Sequence, residues 1–137
     1  RFGSVGGCYF SPTENFIHMV PRDQFTGTAT ATATECFYST QLHELVHWSG
    51  HKSRLDRLDL KNKHGYAFEE LIAEIGSAIL CTNLGVSTDP QPDHAQYIAG
   101  WLQALKGDKS YIFKAAAQAQ KAVDFLDGLQ AKQEVAA

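Results

Sequence analysis

Two histidines and a glutamate near the middle of the chain have the types and the spacing of a metal-dependent hydrolase site. His43, Glu44 and His47 form the pattern H-E-x-x-H, which on a helix places both imidazoles on one face, where they can bind one zinc ion. The adjacent glutamate points toward the same space and can act as the general base that activates water. The pattern predicts peptide hydrolysis with one Zn²⁺ ion as cofactor and Glu44 as the catalytic residue. The alternative is a pair of surface histidines on an amphipathic helix.

A catalytic zinc ion requires a third protein ligand, because two histidines leave its coordination incomplete. In one class of zinc peptidases this ligand follows as H-E-x-x-H-x-x-G-x-x-H, and here Gly50 fits the glycine while Ser53 replaces the last histidine. A better source is a later acidic segment, where Glu70 and Glu74 are four residues apart and share one helix face. Burial of these carboxylates among apolar neighbours would be costly without a cation. We expect one of them to bind zinc while the other accepts a hydrogen bond from a ligand histidine.

This acidic segment resembles the arrangement of the gluzincin peptidases, in which E-x-x-x-[DE] follows H-E-x-x-H. The resemblance implies that Glu70 is the third ligand and that Glu74 supports one of the histidines. Glu69 points about 100° away from Glu70 around the helix axis and is retained as an alternative ligand. His51 is a second alternative ligand. Because Gly50 precedes it, we favour a polar position just after the end of the helix, or contact with a ligand residue, over direct binding of the metal.

Two clusters of polar residues flank these segments. His64 and Tyr66 come just before the acidic helix and are candidate donors to the oxygen that becomes negatively charged in the transition state. A loop histidine and tyrosine are more often surface or packing residues. Lys52, Arg54 and Arg57 form a short basic cluster after the motif, which we expect to be a solvated loop, with attraction of an acidic partner or a DNA backbone as the alternative.

The periodicity of apolar residues predicts a small N-terminal antiparallel sheet followed by a mainly helical part, which is an α+β fold. The predicted strands are residues 7–10 and 15–20, and the predicted helices are residues 35–49, 67–84, 93–105 and 108–129. Gly50 and Gly85 are expected to end the first two helices, and aspartates to cap the last two. Residues 25–34 and 52–65 are predicted loops.

Several residues are expected to form the core rather than a site. Trp48, Trp101 and Phe113 each have apolar neighbours in a predicted helix and are expected to pack between helices. The alanine-rich residues 115–120 predict close helix packing. The three cysteines are odd in number and widely separated, so we expect buried thiols in a reducing cytoplasm rather than disulfides.

Composition limits the classes of protein to which the chain can belong. Its 137 residues, 44% hydrophobic and 20% charged, fit one globular domain with a core. No apolar run reaches the length of a membrane-spanning helix, and the first residues lack the apolar core of a signal peptide. The net charge of −3 provides no global attraction to nucleic acid. The start without methionine, within a glycine-rich stretch, suggests a domain of a longer protein.

A narrower resemblance extends over nearly the whole chain. Tyr38, the motif segment 42–51, the acidic segment 69–76 and the later segments 94–102 and 112–117 together resemble the C-terminal metallopeptidase-like domain of ArdC-type antirestriction proteins. The same domain is similar to parts of TraC-type plasmid primases and of polyvalent phage proteins. The resemblance implies a zincin-like (SprT-like) fold.

The resemblance also implies a biological setting. In this family the domain is normally attached to an N-terminal domain that binds single-stranded DNA, so DNA binding is expected through that domain and not through this chain. The expected partner of this chain is a protein or peptide substrate, which would add a strand at the edge of the small sheet. The alternative function is a catalytically silent, metal-stabilised binding module that supports DNA protection by the attached domain.

Overall fold

A small sheet and four long helices make up the part of the chain that the computed structural model describes, residues 2–5, 7–58, 65–87 and 95–130. The strands are β1 (Phe2–Val5), β2 (Cys8–Ser11) and β3 (Phe16–His18), followed by a short 3-10 helix (Arg22–Gln24). The helices are α1 (Ala33–Ser49), α2 (Gly65–Leu84), α3 (Ala95–Gly107) and α4 (Tyr111–Gly128). The predicted α+β class is confirmed. None of the described helices is long and apolar enough to cross a membrane.

The sheet is antiparallel in the order β1-β2-β3, and Phe10 of β2 lies opposite Ile17 of β3. Cys8 and Phe10 are fully buried, on a strand that contacts α1. Tyr9 has the opposite orientation and stacks on His18, with ring centroids 5.2 Å apart. Alternation along β2 therefore presents one apolar face to the motif helix. The sequence analysis missed β1, because glycines interrupt that segment and weaken a strand pattern.

The motif helix α1 starts two residues earlier than predicted because a capping box precedes it. The Thr32 hydroxyl accepts a hydrogen bond from the Glu35 backbone N–H at 3.1 Å, and the Glu35 carboxylate accepts one from the Thr32 N–H at 2.8 Å. This reciprocal pair satisfies two backbone donors that a helix start otherwise leaves unpaired. The low-complexity threonine run before α1 obscured this signal in the sequence.

Helix α2 contacts both α1 and α4 and lies at the centre of the core. On α4, Ala115, Ala119 and Ala122 are fully buried, which confirms the close packing predicted for the alanine-rich segment. Trp48 packs against this core, and its ring centroid lies 6.3 Å from that of Phe125. One core therefore holds together α1 and α2, the two helices that carry the candidate site residues.

The prediction that Phe113 is a core aromatic is wrong, because its side chain is 73% exposed. Ala115 and Ala119 lie on the buried face of α4, and a residue two positions earlier lies on the opposite face. Trp101 is partly buried, and its Nε1–H donates to the Ala67 carbonyl at 2.6 Å, which anchors α3 on the start of α2.

Helix α4 also begins later than predicted, at Tyr111. Asp108 acts in the turn before the helix, where its Oδ1 accepts hydrogen bonds from the Ser110 backbone N–H at 2.9 Å and from the Ser110 hydroxyl at 2.6 Å. The aspartate expected to open α3, at position 93, lies outside the described residues. Cys8 and Cys81 are buried, Cys36 is partly buried, and all three are free thiols.

Gly76 allows α1 and α2 to approach closely at Val46, the residue before His47. A Cβ atom at position 76 would lie 3.0 and 3.1 Å from the two γ-carbons of Val46. Val46 is fully buried, and a valine in a helix has essentially one allowed rotamer. We expect Gly76→Ala to lower the free energy of unfolding by about 1 kcal/mol, because overpacking of about 1–3 kcal/mol outweighs a helix-propensity gain of about 1 kcal/mol.

Gly100→Ala is the matched control for this substitution. Gly100 lies inside α3, and no heavy atom lies within 4 Å of an added Cβ there. The control should therefore raise the free energy of unfolding by about 0.5–1 kcal/mol through propensity alone. Urea unfolding of both variants measures the difference, and equal stabilisation by the two substitutions would refute the close approach at Gly76.

Candidate metal centre

Three buried side chains from α1 and α2 converge on one point. The Nε2 atoms of His43 and His47 are 3.1 Å apart, because residues four apart in α1 lie on one face. Glu70 of α2 places Oε2 3.3 Å from the first of these nitrogens and Oε1 3.2 Å from the second. Ligand atoms around a tetrahedral zinc ion with bonds of about 2.0–2.1 Å are about 3.3 Å apart. His43, His47 and Glu70 thus have the types and spacing of a three-ligand metal site.

Each histidine also has a carboxylate on the other side of its ring. His43 Nδ1 lies 3.1 Å from Glu74 Oε1, and His47 Nδ1 lies 3.1 Å from Glu69 Oε1. These contacts favour the tautomer that carries the proton on Nδ1. When both rings are neutral, the lone pairs of their two Nε2 atoms then point toward each other and toward the Glu70 carboxylate. Such a buried arrangement requires a cation between the three groups, either protons or a metal ion.

The charges of these groups stabilise one another in the metal-free site. Burial lowers the pKa of His47, but hydrogen bonds and charges from Glu69 and Glu70 outweigh burial and raise it to about 10. The pKa of His43 is raised in the same way, against burial, by hydrogen bonds with Glu70 and Glu74. Burial would raise the pKa of Glu70, but hydrogen bonds from His43 and His47 lower it below its ordinary value. Without metal, protons supply the positive charge that the carboxylates need.

A metal ion must displace these protons, so apparent zinc affinity should rise with pH. The folded pKa of His47, about 10, exceeds the ordinary value of 6.5. Its charged form therefore stabilises the metal-free fold fully below 6.5, and this contribution is lost as pH rises through about 10. We expect zinc affinity to increase by about tenfold or more per pH unit between about pH 6 and 8, with at least one proton released per ion. Competition titrations with a chromophoric chelator measure this slope, and a pH-independent affinity would refute it.

Glu44 is fully buried beside these three side chains but takes part in none of the contacts described above. Neither of its carboxylate oxygens has a hydrogen-bond partner of good geometry among the described residues, and the Phe10 backbone provides only minor stabilisation of its charge. Burial raises the pKa of Glu44 to about 7, although the charges of His47 and His43 act to lower it. A buried carboxylate in this state is suited to exchange a proton near neutral pH.

The remaining predicted residues lie around this centre. His51 is buried, with its Nδ1 2.7 Å from the Ser53 hydroxyl and its ring perpendicular to that of Phe10, and it is not among the converging groups. Tyr66 is 47% exposed and lies one turn before Glu70 on the same face of α2. His64 lies outside the described residues.

Sequence reasoning missed two residues near the centre. Tyr97 of α3 is partly buried. The pKa of its phenol is raised mainly by burial and further by the charge of Glu70, and the same two causes raise the pKa of Tyr66. Arg57 was expected in a solvated loop, but its side chain is only 6% exposed and contacts Glu69. No local pattern could have revealed either residue, because Tyr97 belongs to a different helix and Arg57 lies in a segment without periodicity.

Known proteins are similar to this chain over most of its length. A family model of a zincin-like metallopeptidase matches residues 3–118. The DNA primase TraC of Escherichia coli is 43% identical over 136 residues, which cover 97% of this chain and 12% of the primase. An uncharacterised protein of Sinorhizobium fredii is 41% identical over 125 residues, which cover 89% of this chain and 38% of that protein.

Two solved structures are also similar, both of the plasmid antirestriction protein ArdC. The Mn(II)-bound crystal structure is 45% identical with a TM-score of 0.77 and covers 98% of this chain and 48% of ArdC. The metal-free crystal structure is 46% identical with a TM-score of 0.74 and covers 93% of this chain and 44% of ArdC. This chain thus spans less than half the length of these relatives. The ArdC-type resemblance is confirmed, and the chain belongs to the family of zincin-like metallopeptidases.

Proposed function

We propose that this chain is the peptide-hydrolysing domain of an antirestriction or mobile-element protein and that it uses one zinc ion. The observation that carries the proposal is the buried carboxylate of Glu44, which lacks a hydrogen-bond partner of good geometry among the described residues and lies beside the converging atoms of His43, His47 and Glu70. A site with only a structural ion needs no such carboxylate, and burying one costs stability. Two imidazole nitrogens and one carboxylate oxygen are a ligand set of catalytic zinc sites.

In the proposed mechanism the protein positions the reactants and moves the proton. A zinc ion held by His43, His47 and Glu70 would polarise the scissile carbonyl and lower the pKa of a coordinated water toward about 7. Glu44 accepts the proton of the attacking water and passes it to the amine that leaves. Glu74 and Glu69 keep the two imidazoles in the tautomer that presents Nε2 to the ion.

The proposal needs a donor to the oxygen that becomes negative in the transition state. Tyr66 and Tyr97 carry phenols whose pKa values are raised, first by burial and then by the charge of Glu70, so both stay protonated at neutral pH. Trp101 helps to fix the position of Tyr97, because its ring stacks on that of Tyr97 with centroids 6.0 Å apart and its indole is hydrogen-bonded to α2. His64 stays a candidate from the sequence.

The proposed substrate is a protein or peptide, bound as an added strand along the small sheet. Relatives named as a DNA primase and an antirestriction protein support a role near DNA. We propose that residues 1–137 form a single domain of a longer cytoplasmic protein. Binding of single-stranded DNA would then belong to another domain.

The experiment compares one protein in three metal states. The chain is stripped with a chelator, reloaded with Zn(II) or Mn(II), and incubated with a diverse peptide library that is then analysed by mass spectrometry. Cleavage that requires reloading supports hydrolysis. Metal binding that raises the unfolding temperature, with no cleavage of any peptide in either metal form, would instead support the metal-stabilised binding module.

A further inference from the structure

Arg57 lies in the short segment after α1 and makes a two-pronged contact with α2. Its Nε donates to Glu69 Oε2 at 2.9 Å, and its Nη2 donates to Glu69 Oε1 at 2.8 Å. The two side chains are 6% and 5% exposed. A planar guanidinium fixes a carboxylate in this way in both position and rotation, which a lysine cannot do.

The same guanidinium is bound to the end of the motif helix. Nη2 donates to the Val46 carbonyl at 2.7 Å, and Nη1 donates to the Ser49 hydroxyl at 3.3 Å. These two residues flank His47 in sequence. Arg57 thus connects the backbone around His47 to the carboxylate that faces the ring of His47.

Gly50 provides the space for this guanidinium. A Cβ atom at position 50 would lie 2.8 Å from both Cζ and Nη2 of Arg57. The backbone N–H of Arg57 also donates to the Gly50 carbonyl at 2.9 Å. The glycine after the motif therefore leaves room for the arginine in addition to ending α1.

We propose that Arg57 is a positioning residue for His47: by holding the Glu69 carboxylate it directs His47 Nε2 toward the metal. Glu69 Oε1 lies 3.1 Å from His47 Nδ1, so the orientation that Arg57 imposes on Glu69 is passed to the imidazole. Without Arg57, Glu69 would keep its contact with His47 but lose the two hydrogen bonds that fix the rotation of its carboxylate. The proposal rests on the metal-binding part of the proposed function and is independent of peptide cleavage.

Arg54 provides a matched control from the same segment. Its Nε donates to the Trp48 carbonyl at 2.6 Å, and its guanidinium lies 3.8 Å from the centroid of the Trp48 ring. Both arginines therefore bind carbonyls at the end of α1, but Arg57 is the one in contact with Glu69. Arg54→Met and Arg57→Met separate capping of the helix from positioning of the histidine.

The test measures Zn(II) affinity by competition with a chelator, the visible spectrum of the Co(II) form, and thermal unfolding of the metal-free chain. We expect Arg57→Met to weaken zinc binding by about 10–100-fold, as loss of an outer partner of a ligand does, and to change the Co(II) spectrum. Arg57→Lys should recover part of this loss. Arg54→Met should lower only the unfolding temperature.

A double variant tests the route of the effect. In a Glu69→Gln background, Arg57→Lys should weaken zinc binding little further, because both substitutions act on one contact. Zinc affinity unchanged in Arg57→Lys and Arg57→Met, or additive losses with Glu69→Gln, would overturn the proposal. Failure of the wild-type chain to bind zinc would instead refute the metal site itself, and absence of peptidase activity would leave this test intact.

Discussion

Replacing Glu44 with glutamine is expected to remove most of the peptide hydrolysis while leaving the metal in place. The amide has nearly the shape of the carboxylate but cannot accept a proton from water. Loss of a general base lowers kcat by about 10²–10⁴-fold. Glu44 is not one of the converging ligand atoms, so zinc content and affinity should change little.

The measurement is kcat on a cleaved peptide together with the zinc content of the same preparation. Metal content is the control, because loss of metal would also lower activity. Glu44→Gln with full zinc content and wild-type kcat would show that another group acts as the base. The variant should also fold at least as stably without metal, since it replaces a buried carboxylate that lacks a good hydrogen-bond partner.

Replacing Glu70 with glutamine is expected to have the largest effect on metal binding. Glu70 approaches both Nε2 atoms, at 3.3 and 3.2 Å, and is 1% exposed. Loss of its charge removes a ligand and leaves the two histidines without their shared counter-charge. Zinc affinity should fall well beyond the about 10–100-fold expected when an outer partner is lost.

The matched controls are the two neighbouring glutamates on the same helix. Glu69→Gln and Glu74→Gln each remove the charge of a carboxylate that faces a histidine Nδ1. Each should weaken zinc binding by about 10–100-fold. If Glu69→Gln costs as much affinity as Glu70→Gln or more, Glu69 is the ligand and the ligand set proposed here is incorrect.

The parts of the site that depend on helix geometry were predictable from the sequence. His43 and His47 converge because they are four residues apart in α1, whose capping box and periodic apolar residues are local features. A carboxylate in an apolar helix needs a cation, which indicated a ligand at Glu70 or Glu74, and the resemblance to the gluzincins implied that it is Glu70. These inferences required only that two helices pack together, as the apolar faces of α1 and α2 do.

The remaining contacts depend on how the helices are rotated against each other. Glu69 was an alternative ligand in the sequence analysis, whereas in the structure it faces His47 Nδ1 because α2 presents two adjacent glutamates to different sides of the ring. The contact of Arg57 with Glu69 joins residues 12 apart, through a segment without periodicity. Phe113 shows the same limit, since apolar neighbours in sequence did not indicate which face of α4 is buried.

X-ray absorption at the zinc edge of the reloaded chain tests the central claim most directly, because it reports the atoms that surround the ion. Binding by His43, His47 and Glu70 predicts two imidazole nitrogens and one or more oxygens at about 2.0–2.1 Å, with no sulfur. The Glu70→Gln variant should lose this signal at equal zinc concentration. A sulfur atom at about 2.3 Å would place the ion at a cysteine, and either that result or four imidazoles around the ion would contradict the proposed site.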